Sequence, residues 1–238
     1  MIGIIAAHEA ELEPLLRPLA GRRRHEGIIF GQWRGRPVAL RVVGQGWARA
    51  HERTLHFLRT VRPAGVVMTG FAGATAAGWA VGDVVMPDKV VDLRRGEEAA
   101  DGPSYRPALP VAAWRAQLGF RGGVVGTVEA VVVEPWDKAE LGRRAGIAAV
   151  DLETAAMADA ATQEMVPWVV ARVVLDPVDR PLAVVSAWHA ALLAVSVTGW
   201  GRLGRFGRDL TVAQRQLGDR IGDVVEIMDR TLANKDGS

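Results

Sequence analysis

The chain contains no cysteine. That excludes a disulfide framework, a thiolate metal site and a cysteine nucleophile. Lysine is scarce as well. Of 29 basic residues only Lys89, Lys138 and Lys235 are lysines, leaving 26 arginines. No charge sign dominates: 29 basic residues face 27 acidic ones, for a net charge of +2. The electrostatic footprint of a nucleic-acid binder is therefore missing. No apolar run reaches the ~18 residues that a membrane span requires. The longest, residues 183–198, is broken by His189 and by several Ser and Thr. The five histidines, His8, His25, His51, His56 and His189, lack metal-ligand spacing, and no metal is expected. Ser104, Ser186 and Ser196 stand outside any Gly-x-Ser-x-Gly elbow, which argues against a serine hydrolase.

What is present fits one soluble α/β unit. The 238 residues are 49% hydrophobic and 24% charged, enough to bury a sizeable core in a single domain. Met1-Ile2-Gly3-Ile4-Ile5-Ala6-Ala7 is apolar but has no basic flank, and Glu9 and Glu11 follow at once. It does not read as a signal peptide, so a cytoplasmic protein is expected. Residues 2–6 read as a buried strand, and 9–19 as a helix with Leu12, Leu15, Leu16 and Leu19 on one face. Residues 28–33 and 37–43 form a hairpin pattern around Arg34-Gly35. A helix over 47–60 precedes a short strand, 65–68, ending in the turn Thr69-Gly70-Phe71-Ala72-Gly73. Segments 84–87 and 89–92 are β-like, 94–110 an exposed loop, 111–118 a short helix, and 124–133 the longest β-branched run. Helix 137–144, strand 148–151, helix 153–163 and strand 168–175 follow, and the chain beyond Pro181 is mostly helical. Uninterrupted apolar strands alternating with helices predict a mainly parallel sheet covered on both faces.

In such sheets ligands sit outside the carboxyl ends of strands, here after Ala6, Met68 and Leu175. At the first place stand Glu9 and Glu11. A carboxylate there can serve as a general base, or simply complement the helix dipole. At the second, Thr69-Gly70-Phe71-Ala72-Gly73 offers backbone N–H groups to a sugar, an anion or an oxyanion, or is only a tight turn. Asp151-Leu152-Glu153 marks a strand-to-helix junction. A carboxylate there can hold a vicinal diol, or Asp151 or Thr154 caps the helix. Asp176, before Pro177, is the sharpest candidate, because partial burial raises a carboxyl pKa until it can donate a proton near neutral pH. Its plain alternative is an Asp-Pro turn.

Taken in order, these segments resemble the nucleoside phosphorylase superfamily, on its methylthioadenosine/adenosylhomocysteine nucleosidase side. The resemblance is carried by Ile2-Gly3-Ile4-Ile5-Ala6-Ala7-His8-Glu9-Ala10-Glu11, Gly44-Gln45-Gly46, Thr69-Gly70-Phe71-Ala72-Gly73, Val81-Gly82-Asp83-Val84-Val85, Ala149-Val150-Asp151-Leu152-Glu153-Thr154-Ala155-Ala156 and the run 170–179. It covers about residues 1–180. It implies a single-domain three-layer α/β fold over 1–238 with a mixed central sheet flanked by helices and a helical tail at about 183–232. The implied activity is cleavage of the N-glycosidic bond of a purine nucleoside, without a resident cofactor. Carried over by position, Asp176 would protonate the base at N7, Glu153 would hold the ribose 2′- and 3′-hydroxyls, and Leu152 would lie under the sugar. Glu11 would activate the attacking water, with Glu9 its substitute if the register slips by two. Phe71, Ala72 and Gly73 would line the pocket.

Two departures stand out: Leu175 where the family commonly has Ser, and bulky Phe71 in the Gly-rich turn. The arginines with which phosphorylases hold phosphate are not evident near Val67-Met68-Thr69-Gly70. That favours water over inorganic phosphate as acceptor, with Arg41 and Arg172 as the candidates to supply an anion site from elsewhere. Thr127-Val128-Glu129-Ala130-Val131-Val132 and Asp137-Lys138-Ala139 look closer to the hopanoid-associated branch, which acts on adenosylhopane. The futalosine branch is the other narrow relative.

In the tail, Trp200, Leu203, Phe206 and Leu210 are spaced three, three and four apart, with Arg202, Arg205 and Arg208 between them. As a helix this stripe suits peripheral contact with an anionic membrane through 199–210. Packing on its own domain or on a partner subunit is the alternative, and Gly201, Gly204 and Gly207 weaken a free helix. Apolar Trp and Val near 44–51 point to a homo-oligomer, a dimer or larger.

Overall fold

The computed structural model describes residues 1–96, 102–182 and 197–236, the last segment with side chains from 204 to 234. Strand β1 (Ile2–Ala6) is buried at every residue. It lies parallel between β4 (Arg36–Val42) and β5 (Gly65–Ala74). A strand covered on both faces has no solvent side to alternate with, hence its unbroken apolar run. Outside β4, β3 (Ile28–Trp33) and β2 (Ala20–His25) continue antiparallel. Beyond β5 come β10 (Ala149–Asp151), β9 (Val124–Thr127), β7 (Lys89–Asp92) and β8 (Ser104–Tyr105). Strand β11 (Trp168–Asp176) runs parallel to β5, and β6 (Val84–Val85) is antiparallel to β11. The sheet is mixed.

Helices cover it on two sides. On one, α1 (Glu9–Leu16) and α6 (Val197–Asp236) bury Leu12, Leu15, Leu217, Ile221 and Met228 in a core shared with Ile2, Ile4 and Leu40. On the other, α2 (Trp47–Val61) and α5 (Thr154–Gln163) bury Ala50, Phe57, Ala155 and Met157 against Ile5, Val66 and Met68. Two further helices are α3 (Val111–Leu118) and α4 (Pro135–Ala145). The architecture is three layers, α/β/α.

Several elements differ from the sequence expectation. The expected turn at 69–73 is strand: Thr69 to Phe71 pair with Ala171 to Val173, and Gly73 and Ala74 pair with Val150 and Ala149. Small residues there serve close approach between strands rather than chain reversal. Conversely the β-branched run 124–133 is strand only to Thr127. Strand β2, exposed at every residue, has no apolar alternation and left no signal. Ser104-Tyr105 pair with β7 inside the expected loop, while 97–101 lie outside the described residues, as does the start of the tail at 183–196. The apolar residues near 44–51 are largely covered within the chain: Val43 is buried, and Arg94 stacks on the half-buried Trp47 at 3.6 Å.

One irregularity positions the site. The β5–β11 register shifts between Val174 and Asp176, so that Asp176 comes to lie opposite Gly73. A bulge of this kind re-aims a side chain at the end of a ladder.

Candidate functional site

Glu11 belongs to the first turn of α1 and closes a capping box there. His8 accepts the Ala10 N–H at 3.2 Å, and Glu11 Oε2 accepts the N–H groups of Ala7 and His8 at 3.0 and 2.9 Å. The second oxygen reaches across to β5, where Oε1 accepts the Phe71 N–H at 2.7 Å. Three of the roughly four acceptor positions of a carboxylate are thus filled. Burial pushes the Glu11 carboxyl above the usual range, while Arg172 and the backbone donors pull it back.

Arg172 on β11 is 1% exposed. Its Nε donates to Thr154 Oγ1 at 2.9 Å and lies 3.1 Å from Asp151 Oδ2. Nη1 donates to the Thr69 carbonyl at 2.9 Å and lies 3.9 Å from Glu11 Oε1. Nη2 is buried and has no hydrogen-bond partner among the described residues. Gly70 makes this arrangement feasible. At φ 140° it sits so close that a Cβ would come within 2.3 Å of Arg172 Nη1 and 2.4 Å of Glu11 Oε1.

Asp151 is committed within the fold. It accepts Thr127 Oγ1 at 2.8 Å, the Thr154 N–H at 3.1 Å and the Thr154 hydroxyl, and it balances Arg172. The N-cap of α5 is Glu153, not Asp151 or Thr154 as the sequence suggested; Asp151, two residues before it, satisfies the first helical N–H from outside the helix. Glu153, two residues on, is 6% exposed and accepts the Gly46 N–H at 3.0 Å through Oε1. Burial, reinforced by nearby Asp151, pushes its carboxyl up to about 7. Asp176 is 7% exposed. Burial pushes it up to about 6 against the opposing pull of Lys138, whose Nζ lies 2.9 Å from Oδ1.

Glu11, Glu153 and Asp176 line one cavity of about 470 Å³, together with Leu152, Phe71, Ala72 and Gly73. Of the residues singled out above for the sugar, the base or the water, all but Glu9 meet there. Phe71 forms part of the wall and leaves the cavity open. His8, Gln45 and Asp151 add polar groups to the wall, and Val128, Val131, Val132, Leu182, Phe206 and Leu210 give it a large apolar part. Phe206 and Leu210 of the tail stripe thus face the cavity, while Arg205 and Arg208 are exposed; the side chains of Trp200, Arg202 and Leu203 lie outside the described residues. Glu9 is exposed and lies with Arg41 in a different cleft, so the two-residue register slip does not place it in the cavity. A larger cleft, about 860 Å³, is lined by residues of α1 and α6, but its acid, Asp219, is exposed and paired with Arg215 at 3.6 Å. Volume alone is a poorer guide than converging buried acids.

Sequence reasoning missed Lys138 as a neighbour of Asp176, and the Thr127–Asp151–Thr154 network that holds Arg172. Both depend on contacts between residues far apart in the chain. Among the described residues no His/Cys/Asp/Glu group is arranged to hold a metal, and no helix is long and apolar enough to cross a membrane.

A three-layer α/β sheet with buried acids converging in a partly apolar cavity at strand ends defines a small-molecule site. The chain belongs to the phosphorylase superfamily, whose family model matches residues 1–191. It is 30% identical over 224 residues to the 5′-methylthioadenosine/S-adenosylhomocysteine nucleosidase of Shewanella loihica, covering 82% of this chain and 97% of that one. In fold it is similar to the nucleosidase of the same name from Neisseria meningitidis, solved with methylthio-immucillin-A. That likeness has a TM-score of 0.71 at 20% identity, over 94% of this chain and 97% of that one. The futalosine hydrolase of Helicobacter pylori gives a TM-score of 0.73 at 16% identity, over 94% and 97%.

Proposed function

We propose that the protein cleaves the N-glycosidic bond of a purine nucleoside with water as acceptor. The observation that carries this reading is the convergence of Glu11, Glu153 and Asp176 on one cavity. As the C1′–N9 bond breaks, its electron pair passes to the purine and the sugar becomes oxocarbenium-like. Asp176, raised to about 6, gives its proton to N7, so the base leaves neutral. Glu153 holds the 2′- and 3′-hydroxyls, with Leu152 against the sugar. Water adds to C1′ and gives a proton to Glu11, whose Oε1 retains an open acceptor position beside its bond from Phe71. Inorganic phosphate as co-substrate is the alternative. It is disfavoured because the Arg172 guanidinium is already engaged by Asp151 and Thr154 and a carboxylate stands beside it.

The relatives' names point to methylthioadenosine, adenosylhomocysteine or futalosine as substrate. The apolar wall formed by Val131, Val132, Leu182, Phe206 and Leu210 supports a second reading, a nucleoside bearing a large apolar group on its 5′ carbon, such as adenosylhopane in hopanoid synthesis. A lipid-linked substrate would bring the exposed Arg205 and Arg208 to a membrane surface. The test is a panel of adenosyl nucleosides, lipid-linked ones included, assayed for free purine with and without phosphate. Phosphate-independent release from at least one member is expected. Thermal stabilisation by nucleosides without release from any of them would instead identify a binding protein whose Phe71 blocks the sugar.

A further inference from the structure

Lys138 stands where a lysine is doubly disfavoured. It lies in the first turn of α4, where the helix dipole repels a cation. It is also 0% exposed, where an unpaired ammonium would be costly. Its surroundings offset both penalties. Nζ donates to Asp176 Oδ1 at 2.9 Å, to the Pro177 carbonyl at 2.9 Å and to the Arg180 carbonyl at 2.8 Å. All three ammonium protons are used. In a chain with 26 arginines among 29 basic residues, this position takes the compact three-donor cation rather than the planar five-donor fork. The same turn is tied down twice more, by the Leu182 N–H to the Val133 carbonyl at 3.1 Å and by Arg180 to Asp209 at 3.0 Å. The other carboxyl oxygen, Asp176 Oδ2, lies 3.4 Å from where a Cβ on Gly73 would stand, on a residue of the cavity wall.

We propose that Lys138 is a positioning residue for Asp176: it fixes Oδ1 and the 177–180 turn, so that Oδ2 is the oxygen presented to the departing base. This rests on the reading of Asp176 as the acid. The division of labour explains why a buried cation is kept beside a proton donor. Lys138 orients the carboxyl and opposes the rise that burial imposes on it. Among the described residues, the other charged groups around Asp176 are Arg180 and Asp179 on the following turn, Arg205 and Asp209 of α6 in an adjoining cleft, and Glu11, Asp151 and Glu153 elsewhere on the cavity wall.

The test compares full-length wild type, Lys138→Met, Lys138→Arg and Asp176→Asn. Carbon-13 NMR of labelled aspartate carboxyls follows the Asp176 titration without requiring turnover, and D176N assigns its signal. In K138M the carboxyl should titrate at higher pH than in wild type. Purine release should lose kcat by roughly 10²-fold with KM nearly unchanged, as expected for a misplaced group, and the falling limb of kcat/KM should move to higher pH in step. K138R should keep the titration near that of wild type while kcat drops about tenfold. An Asp176 titration unmoved in K138M overturns the proposal, because Nζ would then not be holding Oδ1; a moved titration with kcat unchanged overturns it too, because the lysine would then be a structural ion-pair partner only. If K138M does not fold, K138R decides: wild-type kcat there overturns the proposal. A wild type that releases no purine refutes the reading of function, and the NMR titration still decides the role of Lys138.

Discussion

Glu153→Gln should stabilise the fold while disabling the site. The carboxyl is 6% exposed and raised from 4.5 to about 7, first by burial and then by Asp151. The native state therefore holds this proton more tightly than the unfolded chain does. Its contribution to stability is fully present below about pH 4.5 and is lost as pH rises through about 7. At roughly 1.4 kcal/mol per pH unit the loss totals about 3 kcal/mol, of which about 2 kcal/mol falls between roughly pH 5.5 and pH 8. Gln cannot ionise, yet its amide oxygen can still accept the Gly46 N–H that Glu153 accepts now. The shifts of Glu11 and Asp176 run in the same direction, are common to both proteins and largely cancel in the comparison. Urea unfolding of wild type and E153Q at the two pH values is the assay. The stability difference should widen in favour of E153Q by about 2 kcal/mol from the lower pH to the higher, or about 4–8 °C in Tm for a chain of this size. A difference that stays constant with pH, or wild type the more stable at pH 8, would refute the reasoning.

Asp176→Asn should leave the fold intact and lower purine release by about 10²–10⁴-fold, the usual contribution of a positioned acid; circular dichroism and a free-base assay check both parts. Gly70→Ala puts a Cβ 2.3 Å from Arg172 Nη1 at a φ of 140°. It should cost about 1–3 kcal/mol in unfolding free energy and most of the activity. Gly78→Ala is the control: its φ is 81° but nothing lies within 4 Å of the added carbon, so stability should fall and kcat should not. Arg172→Met strands the buried Asp151 without its counter-ion and should destabilise the fold by about 3–5 kcal/mol, measured by thermal unfolding.

How much of this was legible in the sequence follows from how local each signal is. The apolar runs of β1 and β11 mark buried strands because burial on both faces removes alternation. The acids following β1 and β10, and the one closing β11, stand out against their apolar flanks. The strand character of 69–74 was hidden, because Thr-Gly-Phe-Ala-Gly carries turn chemistry and only pairing with β11 and β10 makes it a ladder. Glu11 was readable either as a helix-start acid or as a site residue, and it is placed for both: one oxygen caps α1 and the other reaches Phe71. Lys138 and Asp176 are 38 residues apart, and no local pattern links them. The tail stripe was readable either as a membrane-facing surface or as packing on its own domain or a partner subunit, and Phe206 and Leu210 turn toward the cavity.

The most direct measurement is a crystal structure of the full chain with an uncleavable purine nucleoside analogue. The account predicts purine N7 within hydrogen-bond distance of Asp176 Oδ2, the ribose 2′- and 3′-hydroxyls on Glu153, and a water between Glu11 and C1′. A nucleoside seated instead in the larger cleft beside Arg17 and Arg215, or bound in the cavity with its sugar away from Glu153, would contradict it.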